Sequence, residues 1–160
     1  MKVIKSLAVA AIALVVALVM ASPASAVAAK FHSATGSVAN NGALVVSFDE
    51  RGLGNDNIDY TLTADSVAVY ACINGGGNHP KAANKETVNG DLSANASFEP
   101  KNGRVLASIS AGPISAGSFS CPSGQRLVLA AVTYTNIVLT DTTNGTSTDV
   151  GDVSRVFFAV

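Results

Sequence analysis

Apolar and polar residues alternate with a period of two along much of this chain, and no other feature limits its fold as strongly. The segment IDYTLTA at 58–64 is apolar at its even positions and polar at its odd positions. A period of two separates the two sets onto opposite faces of a β-strand. Further alternating runs lie at 43–48, 92–98, 105–109 and 156–160, and the segment 126–140 is apolar on both faces. The sequence therefore predicts an all-β fold, an antiparallel β-sandwich of about eight strands.

Asn-Gly pairs separate several of these runs. They occur at 41–42, 89–90, 102–103 and 144–145. Both residues tolerate a positive φ, so each pair predicts a tight turn. The pair Asn102-Gly103 lies between two alternating runs and gives the best prediction of a hairpin. The segment 126–140 is long for one strand, so we expect a bulge or bend near Ala130-Ala131.

The first 26 residues have the three parts of a secretory signal peptide. Two lysines precede an uncharged apolar run at 7–21, and the small residues ASA at 24–26 supply a cleavage site. A transmembrane anchor needs about 20 apolar residues, which this run does not reach. We therefore predict a signal peptide at 1–26, with cleavage after Ala28 as the alternative, and one secreted domain at 27–160.

The charge of the predicted mature domain argues against two classes of partner. Two of the ten basic residues, Lys2 and Lys5, leave with the signal peptide, so eight remain against eleven acidic residues. Nucleic acids and anionic membranes are bound by clusters of Lys and Arg, whereas these basic residues are scattered singly. We expect no nucleic-acid partner and no membrane insertion after signal cleavage. The partner is expected to be an extracellular ligand or protein, and no cofactor is predicted.

The chain has two cysteines, Cys72 and Cys121. In an oxidising compartment an even number of cysteines favours pairing, and two allow a single intrachain bond. A metal-binding pair or a reactive thiol is the alternative, but no histidine accompanies the cysteines at a metal-ligand spacing. The sequence therefore predicts a Cys72–Cys121 disulfide.

The segment 74–85 follows Cys72 and is the candidate ligand loop. Its three consecutive glycines let the backbone approach a ligand closely, and Asn74, Asn78, His79 and Lys81 offer side-chain contacts. The run matches no phosphate-binding motif. A long surface loop without a ligand is the simpler interpretation, because Gly, Asn and Pro are ordinary loop residues.

Acidic residues are dense at 49–59 and could supply oxygen ligands for Ca²⁺. The set comprises Asp49, Glu50, Asp56 and Asp59. Its spacing does not fit a calcium-binding EF-hand loop, so a solvated loop between strands is favoured and no metal site is predicted.

Catalytic and sugar-binding motifs are weak. The two histidines are His32 and His79, and no serine lies in a nucleophile-elbow motif. Tryptophan is absent, and the three tyrosines lie in apolar strands, where core packing is expected. The sequons at Asn95 and Asn144 are glycosylation sites only if the source is eukaryotic.

Two resemblances bear on the fold. Tyr70-Ala71-Cys72 resembles the tyrosine corner of immunoglobulin domains, although the core Trp is missing. This resemblance implies a sandwich, and an immunoglobulin-like architecture is compatible with it. A wider pattern is similar to small secreted actinobacterial proteins of unassigned function, which implies an extracellular location and no activity. Its segments are Gly52-Leu53-Gly54, Tyr70-Ala71-Cys72, the NGGGN run at 74–78, SFSCPSG at 118–124 and LTDTT at 139–143.

These observations predict a secreted, non-catalytic β-sandwich that serves as an extracellular binding module or a surface or structural module. Two alternatives stay open. One is an inhibitor of an extracellular hydrolase that acts through the loop at 74–85, and the other is a hydrolase that uses His79.

Overall fold

A computed structural model describes residues 28–74 and 84–160, which form eight antiparallel strands. Neither range contains a helix that could span a membrane. The predicted signal peptide at 1–26 lies outside the described residues. The strands are β1 (Lys30–Val38), β2 (Leu44–Arg51), β3 (Ile58–Asn74), β4 (Lys85–Phe98), β5 (Arg104–Ala111), β6 (Gln125–Asp141), β7 (Thr146–Asp149) and β8 (Val153–Val156).

The strands form two sheets that pack face to face, which confirms the predicted β-sandwich. The smaller sheet has the order β1-β2-β5. The larger sheet has the order β4-β3-β6, and both β7 and β8 pair with the far side of β6. The larger sheet is built on β3 and β6, each 17 residues long. The alternating runs therefore lie where the period of two requires, with one face turned toward the opposite sheet.

Apolar side chains from both sheets fill the space between them. Phe48 of β2 and Tyr60 of β3 meet in the centre, with ring centroids 4.7 Å apart. Each buried side chain of this size stabilises the fold by about 1.5–3 kcal/mol. The three tyrosines are all buried, as predicted. Other fully buried core residues include Leu44, Val46, Leu62, Val132, Tyr134, Ile137 and Leu139.

Strand β6 contains two bulges. Val69 pairs with Ala131 but Tyr70 pairs with Leu129, so Ala130 is the extra residue. This confirms the irregularity predicted near Ala130-Ala131. The second bulge lies at Asn136, whose φ is 50°, a left-handed conformation that Asn tolerates better than most residues.

The Asn-Gly predictions have mixed outcomes. Asn41-Gly42 and Asn144-Gly145 lie in turns that join β1 to β2 and β6 to β7. Asn102-Gly103 forms a tight turn closed by two backbone hydrogen bonds between Lys101 and Arg104. The hairpin prediction is nevertheless wrong, because the strands before and after this turn belong to different sheets.

Asn89-Gly90 forms no turn, since β4 runs straight through it with Gly90 opposite Ser66. Pairing with β3 outweighs the local preference for a turn. The strand predicted at 156–160 is also displaced, because β8 ends at Val156.

The Cys72–Cys121 disulfide is formed, with the two Cα atoms 5.5 Å apart. It joins β3 to the segment between β5 and β6, whereas the immunoglobulin disulfide joins the two sheets. The Tyr70 phenol donates a hydrogen bond of 2.6 Å to the carbonyl oxygen of Ile114, which lies far downstream. A tyrosine corner instead bonds to backbone a few residues upstream. The immunoglobulin resemblance therefore extends to the sandwich architecture alone.

Candidate functional site

The outward side of the larger sheet carries short polar side chains on neighbouring strands. We call this surface the polar face. Its members are exposed or half-buried, and adjacent strands place them side by side. The polar face comprises Asn89, Asp91, Ser93, Asn95 and Ser97 of β4; Asp59, Thr61, Thr63 and Asp65 of β3; Thr133, Thr135 and Thr140 of β6; and Ser147 and Asp149 of β7.

The pairing register aligns these side chains in rows across the strands. Thr61 lies between Asn95 of β4 and Thr140 of β6, and Thr140 pairs in turn with Ser147 of β7. The Thr61 hydroxyl donates a hydrogen bond of 2.7 Å to Oδ1 of Asn95. Strands lie about 4.8 Å apart and alternate residues about 7 Å apart, so the rows form a regular grid. Such a grid can make many hydrogen bonds to an extended ligand.

The charged members of the polar face are all acidic. Asp65 of β3 lies opposite Asp91 of β4, and Asp59 and Asp149 lie at other positions on the same face. Oδ2 of Asp65 accepts a 2.6 Å hydrogen bond from the amide of Asn136, the residue of the second bulge. A carboxylate has acceptor oxygens and no donor, so this face suits a ligand rich in hydroxyl or amine donors.

A shallow groove crosses the polar face near the start of β3. Its volume is about 390 Å³. Hydroxyl, amide and carboxylate groups line it, from Asp59, Thr61, Asn95, Ser97 and Thr142. The Thr142 hydroxyl donates to the backbone oxygen of Asp59, which attaches the loop after β6 to the edge of the groove.

Near the disulfide the same side of the sheet becomes apolar, and the last residues of the chain pack on it. Phe158 and Val160 pack around the fully buried Ala71 and Ala130. The carbonyl oxygen of the bulged Ala130 accepts backbone hydrogen bonds from Phe157 and Phe158. The bulge predicted from sequence therefore anchors the C-terminal segment and sets the boundary of the polar face.

A second polar cluster is buried between the sheets. Glu50 and Asp141 are both 0% exposed, and the Tyr60 phenol donates a hydrogen bond of 2.7 Å to Oε2 of Glu50. Burial raises the pKa of Glu50 to about 7; the hydrogen bond from Tyr60 opposes this shift, and the nearby carboxylate of Asp141 adds to it. Both oxygens of Asp141 accept hydrogen bonds from Asn144. No partner among the described residues reaches Oε1 of Glu50.

Asp49 is also in β2, on the opposite side from Glu50. Its carboxylate accepts two hydrogen bonds from Arg51 and two from Arg104, at 2.7–3.3 Å. These hydrogen bonds, first from Arg51 and then from Arg104, hold the pKa of Asp49 well below its usual range. The prediction that Asp49 and Glu50 lie in a solvated loop is therefore wrong, since strand pairing continues to Arg51.

The other candidate residues are dispersed. Asn74 is exposed at the end of β3, whereas Asn78, His79 and Lys81 lie outside the described residues. The ligand loop and the hydrolase alternative that uses His79 therefore stay predictions. His32 is exposed at an irregularity in β1.

The acidic residues predicted as a group are separated by the fold. Asp56 and Asp59 are exposed, whereas Asp49 and Glu50 are buried. Within 28–74 and 84–160, no three His, Cys, Asp or Glu residues are grouped so that they could hold a metal ion. The sequons have the predicted positions, because Asn95 faces outward on β4 and Asn144 lies in a turn.

The sequence pattern that predicts the strands also contains the residues of the polar face. The polar positions of the runs at 58–64 and 92–98 are the central members of the face. The alternation predicts that these residues lie on the solvent-facing side of a strand, but it does not show that β3, β4 and β6 are neighbours in one sheet. Nothing in the sequence indicates that Glu50 is buried, because the residues that surround it come from the distant strands β3 and β6.

Comparison with known proteins adds no relative. Protein-family models, curated proteins and solved structures all gave no match to this chain. The fold and site therefore define an all-β protein with a disulfide, and its resemblance to secreted actinobacterial proteins stays a prediction.

Proposed function

We propose that this protein is exported, loses residues 1–26, and acts outside the cell as a non-catalytic module that binds a hydroxyl-rich polymer through its polar face. The observation that carries the proposal is the row Asn95–Thr61–Thr140–Ser147, in which four strands present hydrogen-bonding side chains in register. The disulfide is compatible with an extracellular location.

The chemistry of the face favours a neutral or amine-bearing polysaccharide. Carboxylates of Asp59 and Asp65 can each accept two hydroxyl groups, and the Ser, Thr and Asn side chains can both donate and accept. The face carries little exposed apolar surface, with Val67 at 39% exposure. A partner protein held by apolar anchor residues would find few pockets here.

The buried tyrosines limit how tightly such a ligand can bind. Tyr60, Tyr70 and Tyr134 are all in the core and cannot stack on a sugar ring. Binding then depends on many weak hydrogen bonds, each contributing about 0.5–1.5 kcal/mol. An extended polymer with repeated units fits this requirement better than a short oligosaccharide does, because it contacts several rows at once.

Depletion from solution by insoluble β-glucan, chitin and deacetylated chitin tests the proposal. We expect at least one of the three to bind, and the double variant Thr61→Ala, Asn95→Ala to weaken binding about tenfold, the effect of losing about 1.4 kcal/mol. The matched control is Ser47→Ala with Ser108→Ala, an exposed hydrogen-bonded pair on the smaller sheet. Absence of binding to all three polymers, or equal weakening by both double variants, would contradict the proposal.

A further inference from the structure

Strand β4 forms a free edge of the larger sheet. It pairs with β3 along its full length, from Lys85 opposite Ala71 to Phe98 opposite Ile58, without a shift in register. Among the described residues no strand pairs with its other side. Long edge strands are normally protected by Pro, by a bulge or by several charges, because they offer a template for another strand. Strand β4 has no Pro and no bulge, and Asp91 is the single charged residue between Thr87 and Phe98.

The backbone groups on this edge can be assigned. The Cys72 amide donates to the carbonyl oxygen of Asn84, which places the backbone groups of Asn84 toward β3. Orientation alternates along a strand, so every second residue after Asn84 also faces β3. The intervening residues direct both N–H and C=O away from the sheet. They are Lys85, Thr87, Asn89, Asp91, Ser93, Asn95 and Ser97, and none of the described residues forms a hydrogen bond to their backbone groups from the open side of the strand.

We propose that two copies of this chain associate through antiparallel pairing of their β4 edges, with Leu92 opposite Leu92 on the two-fold axis. This register places Asp91 opposite Ser93 and Thr87 opposite Ser97. It also places Lys85 opposite Glu99, the residue that follows the strand, so two ion pairs form at the ends of the interface. The outward backbone groups of each strand then meet those of its copy as hydrogen-bonded pairs.

Charge disfavours the neighbouring register that is centred on Asp91. A shift of one residue per strand would put Asp91 directly opposite Asp91 of the second copy, and like charges in that position are destabilising. In the proposed register the carboxylates lie diagonally and each has a serine opposite. The self-complementary pattern identifies the occupant of the edge as a second copy, because each strand supplies the cation of one terminal pair and the anion of the other.

The dimer also extends the polar face into one continuous surface. Asn95 of one copy lies opposite Asn89 of the other, so hydrogen-bonding rows cross the two-fold axis. A repeating ligand could then engage both halves, which raises apparent affinity without new kinds of contact. The dimer itself rests on the edge of β4 and does not depend on the identity of the ligand.

Sedimentation equilibrium of the protein purified from the medium of cells that express the full chain tests this proposal. We expect a monomer–dimer equilibrium. Lys85→Glu and Glu99→Lys should each weaken the dimer about tenfold, because each puts like charges at both ends of the interface. The double variant, which swaps the two charges, should restore association to within about threefold. A chain that stays monomeric throughout the concentration range, or a double variant as weak as the single ones, would overturn the proposal.

A backbone variant tests the same edge independently of charge. Ser93→Pro removes an amide that points away from β3 and leaves the β3 hydrogen bonds in place. It should abolish the dimer, whereas Ser93→Ala keeps the amide and should preserve the dimer. Far-UV circular dichroism checks that the proline variant is folded, and if it is not, the charge-swap series decides. A folded proline variant that dimerises normally would overturn the proposal.

Discussion

The Tyr60 phenol in the larger sheet donates a hydrogen bond of 2.7 Å to Glu50 in the smaller sheet, and Glu50 is fully buried. The two residues connect the sheets by a polar contact inside a largely apolar core. Burial raises the pKa of Glu50 to about 7 and that of Tyr60 as well, and this effect outweighs the hydrogen bond from Tyr60, which by itself favours the ionised carboxylate of Glu50. The stability of the sandwich should therefore depend on the charge of one carboxyl group.

The first prediction concerns this pH dependence. In the unfolded chain Glu50 has a pKa of about 4.3, so between that value and about 7 the folded state holds the extra proton. The contribution of Glu50 to the free energy of unfolding is then greatest at low pH and falls as pH rises through about 7. The full loss amounts to about 4 kcal/mol. Urea denaturation of the wild type and Glu50→Gln at several pH values measures it.

Glu50→Gln should remove this loss, because glutamine has a similar shape and does not ionise. The variant should be more stable relative to the wild type at pH 9 than at pH 5. Asp59→Asn is the control, since Asp59 is an exposed carboxylate. If the difference between wild type and Glu50→Gln were the same at both pH values, the assigned pKa shift would be wrong.

The second prediction concerns Asp49. Arg51 and Arg104 are paired across β2 and β5, and the carboxylate of Asp49 lies between their positive charges. Asp49→Asn leaves two cations side by side and should lower the melting temperature at neutral pH. Because the pKa of Asp49 is lowered on folding, its stabilisation is present above about pH 4 and is lost as pH falls toward the lowered value.

Melting temperatures at pH 7 and in strong acid check the effect of Asp49. The difference between wild type and Asp49→Asn should shrink in acid, whereas Asp59→Asn should show little difference at either pH. A difference that grows in acid would contradict the assigned direction of the shift.

The third prediction concerns the disulfide, which closes a loop with a sequence separation of 49. The chain-entropy argument assigns such a closure about 4 kcal/mol. Replacing both cysteines by serine should lower the free energy of unfolding by about that amount, as measured by urea denaturation. The wild type in reducing agent should match the double variant. Equal stability of the oxidised and reduced wild type would show that the crosslink does not stabilise the fold.

Particular residues show how far the sequence predicted the fold. The period of two identified the run at 58–64, the centre of β3, because half-buried strands must alternate. The excess length of 126–140 predicted the bulge at Ala130 for the same kind of reason, a limit on regular strands. Strand β1 was not predicted from the sequence. Two consecutive residues, His32 and Ser33, are both exposed, so the alternation of apolar and polar positions is interrupted there.

The errors share one physical origin. Asn89-Gly90 permits a turn but does not require one, and the decision is made by pairing with β3, whose residues lie more than 20 positions earlier. The inward orientation of Glu50 depends in the same way on Tyr60 and Asp141, which the sequence does not place beside it. Local preferences fix what a segment can do, and long-range contacts select among those options. The polar face was hidden for this reason, although its residues were identified one strand at a time.

The last prediction compares two glycines that both have positive φ, Gly42 at 90° and Gly145 at 71°. Alanine is strained at either position, by about 1–2 kcal/mol. At Gly145 a Cβ atom would meet nothing within 4 Å, so strain is the whole cost. At Gly42 a Cβ atom would overlap the side chain of Leu129 and touch Pro113. The surroundings there are also fixed, because the Gly42 carbonyl accepts a 2.6 Å hydrogen bond from the buried Tyr134.

Overpacking adds about 1–3 kcal/mol to such a substitution. Gly42→Ala should therefore destabilise the protein by about 2–5 kcal/mol, and Gly145→Ala by about 1–2 kcal/mol. Urea denaturation of the two variants measures the difference directly, with the shared backbone strain largely cancelled. Equal losses in the two variants would mean that Leu129 yields to the added methyl group, and that the junction between the β1–β2 turn and β6 is loosely packed.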